Sequence, residues 1–271
     1  GATGRPAARA GMSAHRAKKR FGQNFLHDRG VIDRIVRAIR PREGERIIEI
    51  GPGLGALTVP LLDTLGRLEV IELDRDIIPR LTAHCAGHGE LTITQADALK
   101  VDYTALAQGQ SLRLVGNLPY NISSPLLFHL LDHAGAITDM HFMLQKEVVD
   151  RMCASAGEPD YGRLSVTLAA RAHAECLFVV GPEAFQPAPK VDSAIVRLTP
   201  HAPDFAIDDR ARFEHLVTAA FSQRRKQLRN TLKPLMNADD ISACGIDPSI
   251  RAEQLAPADF ARLANALHAV P

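Results

Sequence analysis

The sequence predicts an α/β fold: a mostly parallel, seven-stranded sheet followed by a small all-α domain. Three observations carry that expectation. Strand-like and helix-like runs alternate from Gly30 to Leu144, the pattern of parallel strands joined by helical crossovers. A glycine-rich stretch, Gly51-Pro52-Gly53-Leu54-Gly55, links a strand to a helix early in that alternation. Beyond Thr199 the strands cease and only helical patterns remain.

The elements follow in order. Between Gly30 and Arg40, Val31, Ile32, Ile35, Val36 and Ile39 recur at helical spacing, and Pro41 closes the helix. Arg46–Ile50 is a strand, and Ala56–Leu65 a helix with Pro60 in its first turns. Strands at Leu68–Leu73, Leu91–Gln95, Leu112–Val115 and Ile137–Leu144 alternate with helices at Asp76–Cys85, Tyr103–Gln108 and Ser123–His133. Helices Lys146–Ser155 and Arg163–Ala172 come next. Glu175–Val180 and Ser193–Leu198 have no helix between them, so they should pair antiparallel at one edge. His201–Pro203 reads as a linker. Helices are then expected at Arg210–Ser222, Arg224–Met236, Asp239–Cys244 and Ala258–Ala269.

At 46% hydrophobic and 23% charged, the 271 residues exclude a disordered, collagen-like or rod-like chain. No run approaches the ~18 apolar residues of a membrane span. Cys85, Cys153, Cys176 and Cys244 form no metal-ligand spacing, so reduced thiols in a cytoplasmic protein are expected, with no metal. Arg and Lys total 32 against 31 Asp and Glu, but the charge is polarised. Residues 1–27 hold Lys18, Lys19, Arg20 and three further arginines with no acid. Residues 215–238 hold Arg224, Arg225, Lys226, Arg229 and Lys233 with no acid. Such segments attract phosphate backbones, although each could equally be a solvated face. Residues 1–17 are expected to be a basic extension, tag-derived or disordered, 18–200 the α/β domain and 201–271 the helical domain.

The stretch Glu49-Ile50-Gly51-Pro52-Gly53 ends a strand where glycine permits a sharp turn and close approach of a ligand. Glu72 closes the next strand, 21 residues after Gly51, the offset at which an acid grips ribose hydroxyls. Asp97 closes the third. These three sites in register suggest an adenosine ligand. The spacing is G-x-G-x-G, not the G-x-G-x-x-G of dinucleotide folds, and no lysine stands in the loop for a pyrophosphate. S-adenosylmethionine fits this set better than a dinucleotide. Plain alternatives are a turn for the loop, a cap for Asp97 and a solvated strand end for Glu72.

Asn117-Leu118-Pro119-Tyr120 follows the fourth strand. The exocyclic nitrogen of adenine is a poor nucleophile because its lone pair is delocalised into the ring. Two acceptors on its N–H groups orient that pair and stabilise the positive charge that develops during attack. The Asn117 side-chain oxygen and the Leu118 carbonyl suit that task, Pro119 fixes the turn, and Tyr120 can stack on the base. An ordinary turn is the alternative.

With these stretches in hand, the chain resembles the ribosomal RNA adenine N6-dimethyltransferase family, and within it the branch acting on the small subunit. The resemblance rests on Lys19–Leu26, Glu49–Thr58, Val70–Asp74, Gly116–Ser123, Phe185–Val196 and Gln223–Leu232. One departure is Gly181-Pro182, where the family pattern has Pro-Pro. The resemblance implies a Rossmann-like class I methyltransferase that uses S-adenosylmethionine. It implies cofactor contacts from Asn24, Leu26, Gly51, Gly53, Glu72, Asp97 and Asn117, with Phe185 sandwiching the base opposite Tyr120. It implies as substrate two adjacent adenosines in the 3′-terminal hairpin loop of 16S ribosomal RNA, each dimethylated at N6. The basic N-terminus and the Gln223–Lys233 helix, with Arg224, Arg225, Lys226 and Arg229, would clamp the RNA. A monomer is expected, acting on the small ribosomal subunit and on no membrane. Four alternatives stay open. They are a large-subunit ribosomal RNA methyltransferase of the resistance type, a DNA adenine methyltransferase, a non-catalytic ribosome-assembly factor and, from pattern alone, a NAD-dependent dehydrogenase.

Overall fold

A computed structural model describes residues 24–267. The expected N-terminal contacts Lys18, Lys19 and Arg20 lie outside the described residues. The alternation is observed. Strand β1 (Phe25–Leu26) leads into helix α1 (Arg29–Ile39), strand β2 (Arg46–Ile50), α2 (Thr58–Leu65), β3 (Arg67–Glu72), α3 (Ile78–Cys85) and β4 (Glu90–Gln95). Next come α4 (Tyr103–Ala107), β5 (Leu112–Asn117), α5 (Ser123–Leu131), β6 (Ile137–Gln145), α6 (Lys146–Cys153) and α7 (Arg163–Ala169). The rest comprises β7 (Ala172–Val180), β8 (Phe185–Gln186), β9 (Ser193–Pro200), α8 (Arg210–Ala220), α9 (Leu228–Thr231), α10 (Ala238–Ala243) and α11 (Pro257–Ala266).

The sheet has seven strands in the order β4-β3-β2-β5-β6-β9-β7. β3, β2, β5 and β6 pair in parallel with their successive neighbours, as does β4 with β3. β9 and β7 are neighbours and β7 forms the edge, where the sequence placed those two runs. The strand order reverses between β2 and β5. The crevice beyond their carboxyl ends is the switch point at which open α/β sheets hold ligands. Gly116 brings the two strands together there: a Cβ on it would stand 2.3 Å from the Ile50 carbonyl oxygen.

By compactness, Asn24–Lys146 groups with Leu177–Arg197, and Glu147–Cys176 groups with Leu198–Leu267. The first unit packs Leu61, Leu62, Val70, Leu81 and Val115 around the sheet, all fully out of water. The second packs Phe213, Leu216, Leu228, Leu232 and Phe260.

Two local expectations need correction. The helix expected over Arg224–Met236 does not form as one element. Residues 224–227 are turn and irregular backbone, α9 is four residues long, and turns follow. The backbone N–H groups of Leu228 and Arg229 donate instead to the carbonyls of Ile250 (2.8 Å) and Pro248 (3.0 Å). Pro234 removes a donor and disfavours helix at the residue before it. The second correction is a two-stranded antiparallel sheet that the sequence did not suggest. It aligns Phe25 with Gln186 and Leu26 with Phe185.

Candidate active site

The switch-point crevice opens into a cavity of about 530 Å³. Its walls include the glycine loop with Gly51 and Gly53, the turn Asn117-Leu118-Pro119-Tyr120, and Asn24, Leu26 and Phe185. Residues separated by as many as 169 positions, Asn24 and Ser193, therefore meet in one place. Gly51 and Gly53 turn with φ of 66° and 57°, values that suit glycine. The Gly53 carbon lies close under the Phe25 ring, where an added Cβ would stand at 3.1 Å.

Asn117 ends β5. Its side-chain nitrogen donates to the Asn24 carbonyl at 3.2 Å. That bond uses the amide's donor end and leaves the oxygen as an acceptor. The turn after it is held twice: the Leu118 N–H donates to the Met143 carbonyl at 3.1 Å, and the Ser123 hydroxyl donates to the Tyr120 carbonyl at 3.1 Å. Tyr120 itself is 57% exposed. Phe185 is 3% exposed, packed into the apolar core of its unit while still contributing to the cavity wall.

The carboxylates are placed differently. Glu72 closes β3 and is buried beside the glycine loop. Its Oε2 accepts the Asp74 N–H at 3.0 Å, and the Gly53 N–H also reaches its carboxylate. Burial raises the Glu72 carboxyl above its ordinary range, against the lowering effect of those bonds. Glu72 Oε1 and Asp74 Oδ2 are buried with no hydrogen-bond partner among the described residues. Such oxygens are costly unless a ligand satisfies them. Asp97 is half-buried, and its Oδ1 caps the turn by accepting the Leu99 N–H at 3.0 Å. Neither Glu72 nor Asp97 is among the residues of the cavity wall.

Sequence reasoning left several wall residues unassigned. Glu49 is 2% exposed and accepts the Thr58 hydroxyl at 2.5 Å; burial pushes its carboxyl up to about 7. Its position two residues before Gly51 was the available signal. Met143, Gln145 and Lys190 also line the cavity. Met143 and Gln145 end β6, and nothing in their spacing marks them. Arg224, Arg225 and Lys226 belong to the second unit, all exposed, on the turn described above, and Arg229 is exposed on α9. Among the described residues no cluster of three or more His, Cys, Asp or Glu could hold a metal ion. No helix there is long and apolar enough to cross a membrane.

Known proteins can be set beside this geometry. The family described as ribosomal RNA adenine dimethylase matches residues 14–269. A ribosomal RNA small subunit methyltransferase A from Pseudomonas aeruginosa is 58% identical over 259 residues, covering 95% of this chain and 97% of that protein. Its namesake from Xanthomonas campestris pv. campestris is 59% identical over 250 residues, covering 92% and 95%. Among solved structures, a dimethyladenosine transferase from Plasmodium falciparum superposes with a TM-score of 0.74 at 26% identity, over 88% of this chain and 95% of that one. The 23S rRNA methyltransferase ErmE gives 0.71 at 27% identity, over 90% and 99%. The fold is accordingly the Rossmann-like class I methyltransferase fold, with a helical C-terminal region. A match over nearly the whole chain, with relatives this similar along their full length, makes the chain a member of the ribosomal RNA adenine dimethylase family.

Proposed function

We propose that this chain dimethylates N6 of two adjacent adenosines in the 3′-terminal hairpin loop of 16S ribosomal RNA, using S-adenosylmethionine. The observation that carries the reading is Asn117. The Asn24 carbonyl takes its amide donor, so its acceptor oxygen stands at the end of β5 beside the glycine loop. An adenine amine needs such an acceptor, and a second is available in the Leu118 carbonyl.

The residues present fit the cofactor. The partnerless oxygens of Glu72 and Asp74 suit ribose hydroxyl donors, which satisfy buried carboxylates without adding charge. Asp97, with one oxygen committed to its turn, would take the adenine amine. Gly51, Gly53, Asn24 and Leu26 would border the methionine portion. The bound cofactor supplies an electrophilic methyl group on a sulfonium.

The chain's own residues do the remainder. Asn117 Oδ1 and the Leu118 carbonyl accept the two N–H groups of the target amine and turn its lone pair away from ring conjugation. They stabilise the positive charge that grows on N6, and water takes the proton afterwards. Pro119 holds the turn. Tyr120 stacks on the extruded base and favours the developing cation, with Phe185 closing the opposite wall. A monomethylated amine still offers one N–H, so a second transfer uses the same acceptors. A loop adenosine suits this cavity because a splayed base costs less to extrude than a stacked one. The C-terminal helical part, through Arg224, Arg225, Lys226 and Arg229, would hold the RNA backbone, joined by Lys18, Lys19 and Arg20. The working species in this reading is a cytoplasmic monomer that needs no metal.

The names of the similar proteins support the small subunit as target. The decisive test is methyl transfer from labelled S-adenosylmethionine to unmethylated small ribosomal subunits, with large subunits and DNA in parallel. Dimethyladenosine in the small subunit alone is the expected result. Labelling of the large subunit instead would replace the proposed substrate with that of the resistance enzymes. Tight subunit binding without transfer would leave an assembly factor.

A further inference from the structure

Among the described residues, the cavity wall carries one carboxylate, Glu49, and one cation, Lys190. Lys190 lies between β8 and β9 in a short connection that also contains Pro187 and Pro189. That connection is tied down where the Lys146 N–H donates to the Asp192 carbonyl at 2.9 Å. The Lys190 side chain is exposed and makes no hydrogen bond or ion pair among the described residues. Its neighbour Val191 is 46% exposed and lines the same cavity as Tyr120, so this rim opens to solvent.

An unpaired ammonium is out of place on such a wall. The cofactor in the reading above is a cationic sulfonium, and the reaction builds positive charge on N6. Lys190 opposes both by like-charge repulsion. Glu49 offers only partial relief, because burial raises its carboxyl to about 7 and so leaves it incompletely ionised at neutral pH. A group that opposes cofactor and transition state needs an anion that arrives with the substrate. An extruded adenosine brings one, since its flanking phosphodiesters stay at the mouth when the base enters the cavity. A lysine ammonium is a compact phosphate ligand.

We infer that Lys190 forms a phosphate subsite at the cavity mouth, binding a backbone phosphodiester next to the target adenosine. It is a positioning residue. It repels the cationic cofactor until the RNA neutralises it, so RNA and cofactor bind with positive cooperativity. The inference rests on the cofactor and substrate class proposed above.

The test uses the full chain, with Lys190→Gln and Lys190→Arg variants. Affinity for S-adenosylmethionine is measured by calorimetry without RNA, and affinity for unmethylated small subunits across a salt series. Lys190→Gln is expected to bind the cofactor alone about two- to fivefold more tightly, the like charge having gone. The same variant should bind subunits about tenfold more weakly at low salt, with the salt slope shallower by about 0.7–0.9, the equivalent of one phosphate. Lys190→Arg should restore both. These opposite signs separate a charge effect from damage to the loop, which would weaken both affinities together and overturn the inference. An unchanged salt slope, or unchanged cofactor affinity, would also overturn it. Both readouts are binding constants. Failure of the wild type to transfer methyl groups would therefore refute the proposed reaction and still leave the phosphate subsite to be judged.

Discussion

On the glycine-loop side of the cleft, Glu49 and Glu72 are 2% and 3% exposed and bound to Thr58, Asp74 and Gly53 of their own chain. At the mouth, Tyr120 and Val191 are 57% and 46% exposed, and Lys190 has no partner among the described residues. The inner side is held by its own chain, with only Glu72 Oε1 and Asp74 Oδ2 left, among the described residues, for a ligand to satisfy. The mouth is left open, its apolar and charged groups awaiting a surface to cover them. Inner residues should therefore trade stability against function, and mouth residues should affect function alone. Partly assembled electrostatic sites commonly divide in this way, because preorganisation costs stability where charge is buried.

Substitutions can break or sharpen that contrast. The largest effect is expected from Asn117→Ala, which removes the acceptor proposed to act as charge develops. Turnover should fall by about 10²–10³-fold while cofactor affinity changes only a few-fold, as read by single-turnover transfer and calorimetry. Wild-type-like methylation by this variant would remove Asn117 from its assigned role.

Next in size is the pH dependence of stability. Burial lifts the Glu49 carboxyl from 4.5 to about 7, so the folded protein holds a proton that the unfolded chain releases earlier. The stability linked to that proton is complete below about pH 4.5 and is lost as pH rises through about 7. Glu49→Gln should flatten the denaturant-midpoint profile, by about 3 kcal/mol at most between about pH 5 and pH 8. A variant profile parallel to the wild type would show that Glu49 is already ionised when folded.

Tyr120→Ala should lower kcat/KM by an amount matching the loss of about 0.5–2 kcal/mol of stacking and cation–π energy, with the unfolding midpoint nearly unchanged. Tyr120→Phe should keep most of the activity, since the ring remains. A large loss of stability in Tyr120→Ala would erase the distinction between inner side and mouth. The smallest effect at physiological salt is expected for reversal of Arg224 and Arg225 to Glu. This should weaken subunit binding and flatten its salt dependence by about 0.7–0.9 for each phosphate no longer neutralised. An unchanged slope would take that turn out of the RNA interface.

What was legible in the sequence was whatever local chemistry writes. The glycine loop, the Asn-Leu-Pro-Tyr turn and the alternation of strands and helices each depend on residues within a few positions of one another. Most element ends shift by only one to three residues, Ala56–Leu65 becoming Thr58–Leu65, for instance. Less legible was structure decided at long range. Phe25–Leu26 and Phe185–Gln186 are too short to show alternation, and each becomes a strand only because it meets the other. The donor that holds Asn117 is matched by a carbonyl 93 residues away. The basic segment from Arg224 has good helix formers, yet Leu228 and Arg229 take carbonyls from Ile250 and Pro248, partners that no local pattern announces. Lys190 was visible as a residue type but not as part of the wall, because its place depends on the fold of the whole connection.

The small sheet of β1 and β8 ties together two distant chain segments that both line the cavity. Leu26 and Phe185, both on the cavity wall and proposed to border cofactor and base, are registered partners on it, and Asn24 immediately before it holds the Asn117 amide. Each strand is hydrogen-bonded to its partner, and the residue before β1 is bonded to that amide, so the three positions are mechanically linked. On the proposed placement of base and cofactor, this pairing would act as a clasp: a nucleotide pressing on Phe185 would alter the grip on the methyl donor through the paired Leu26.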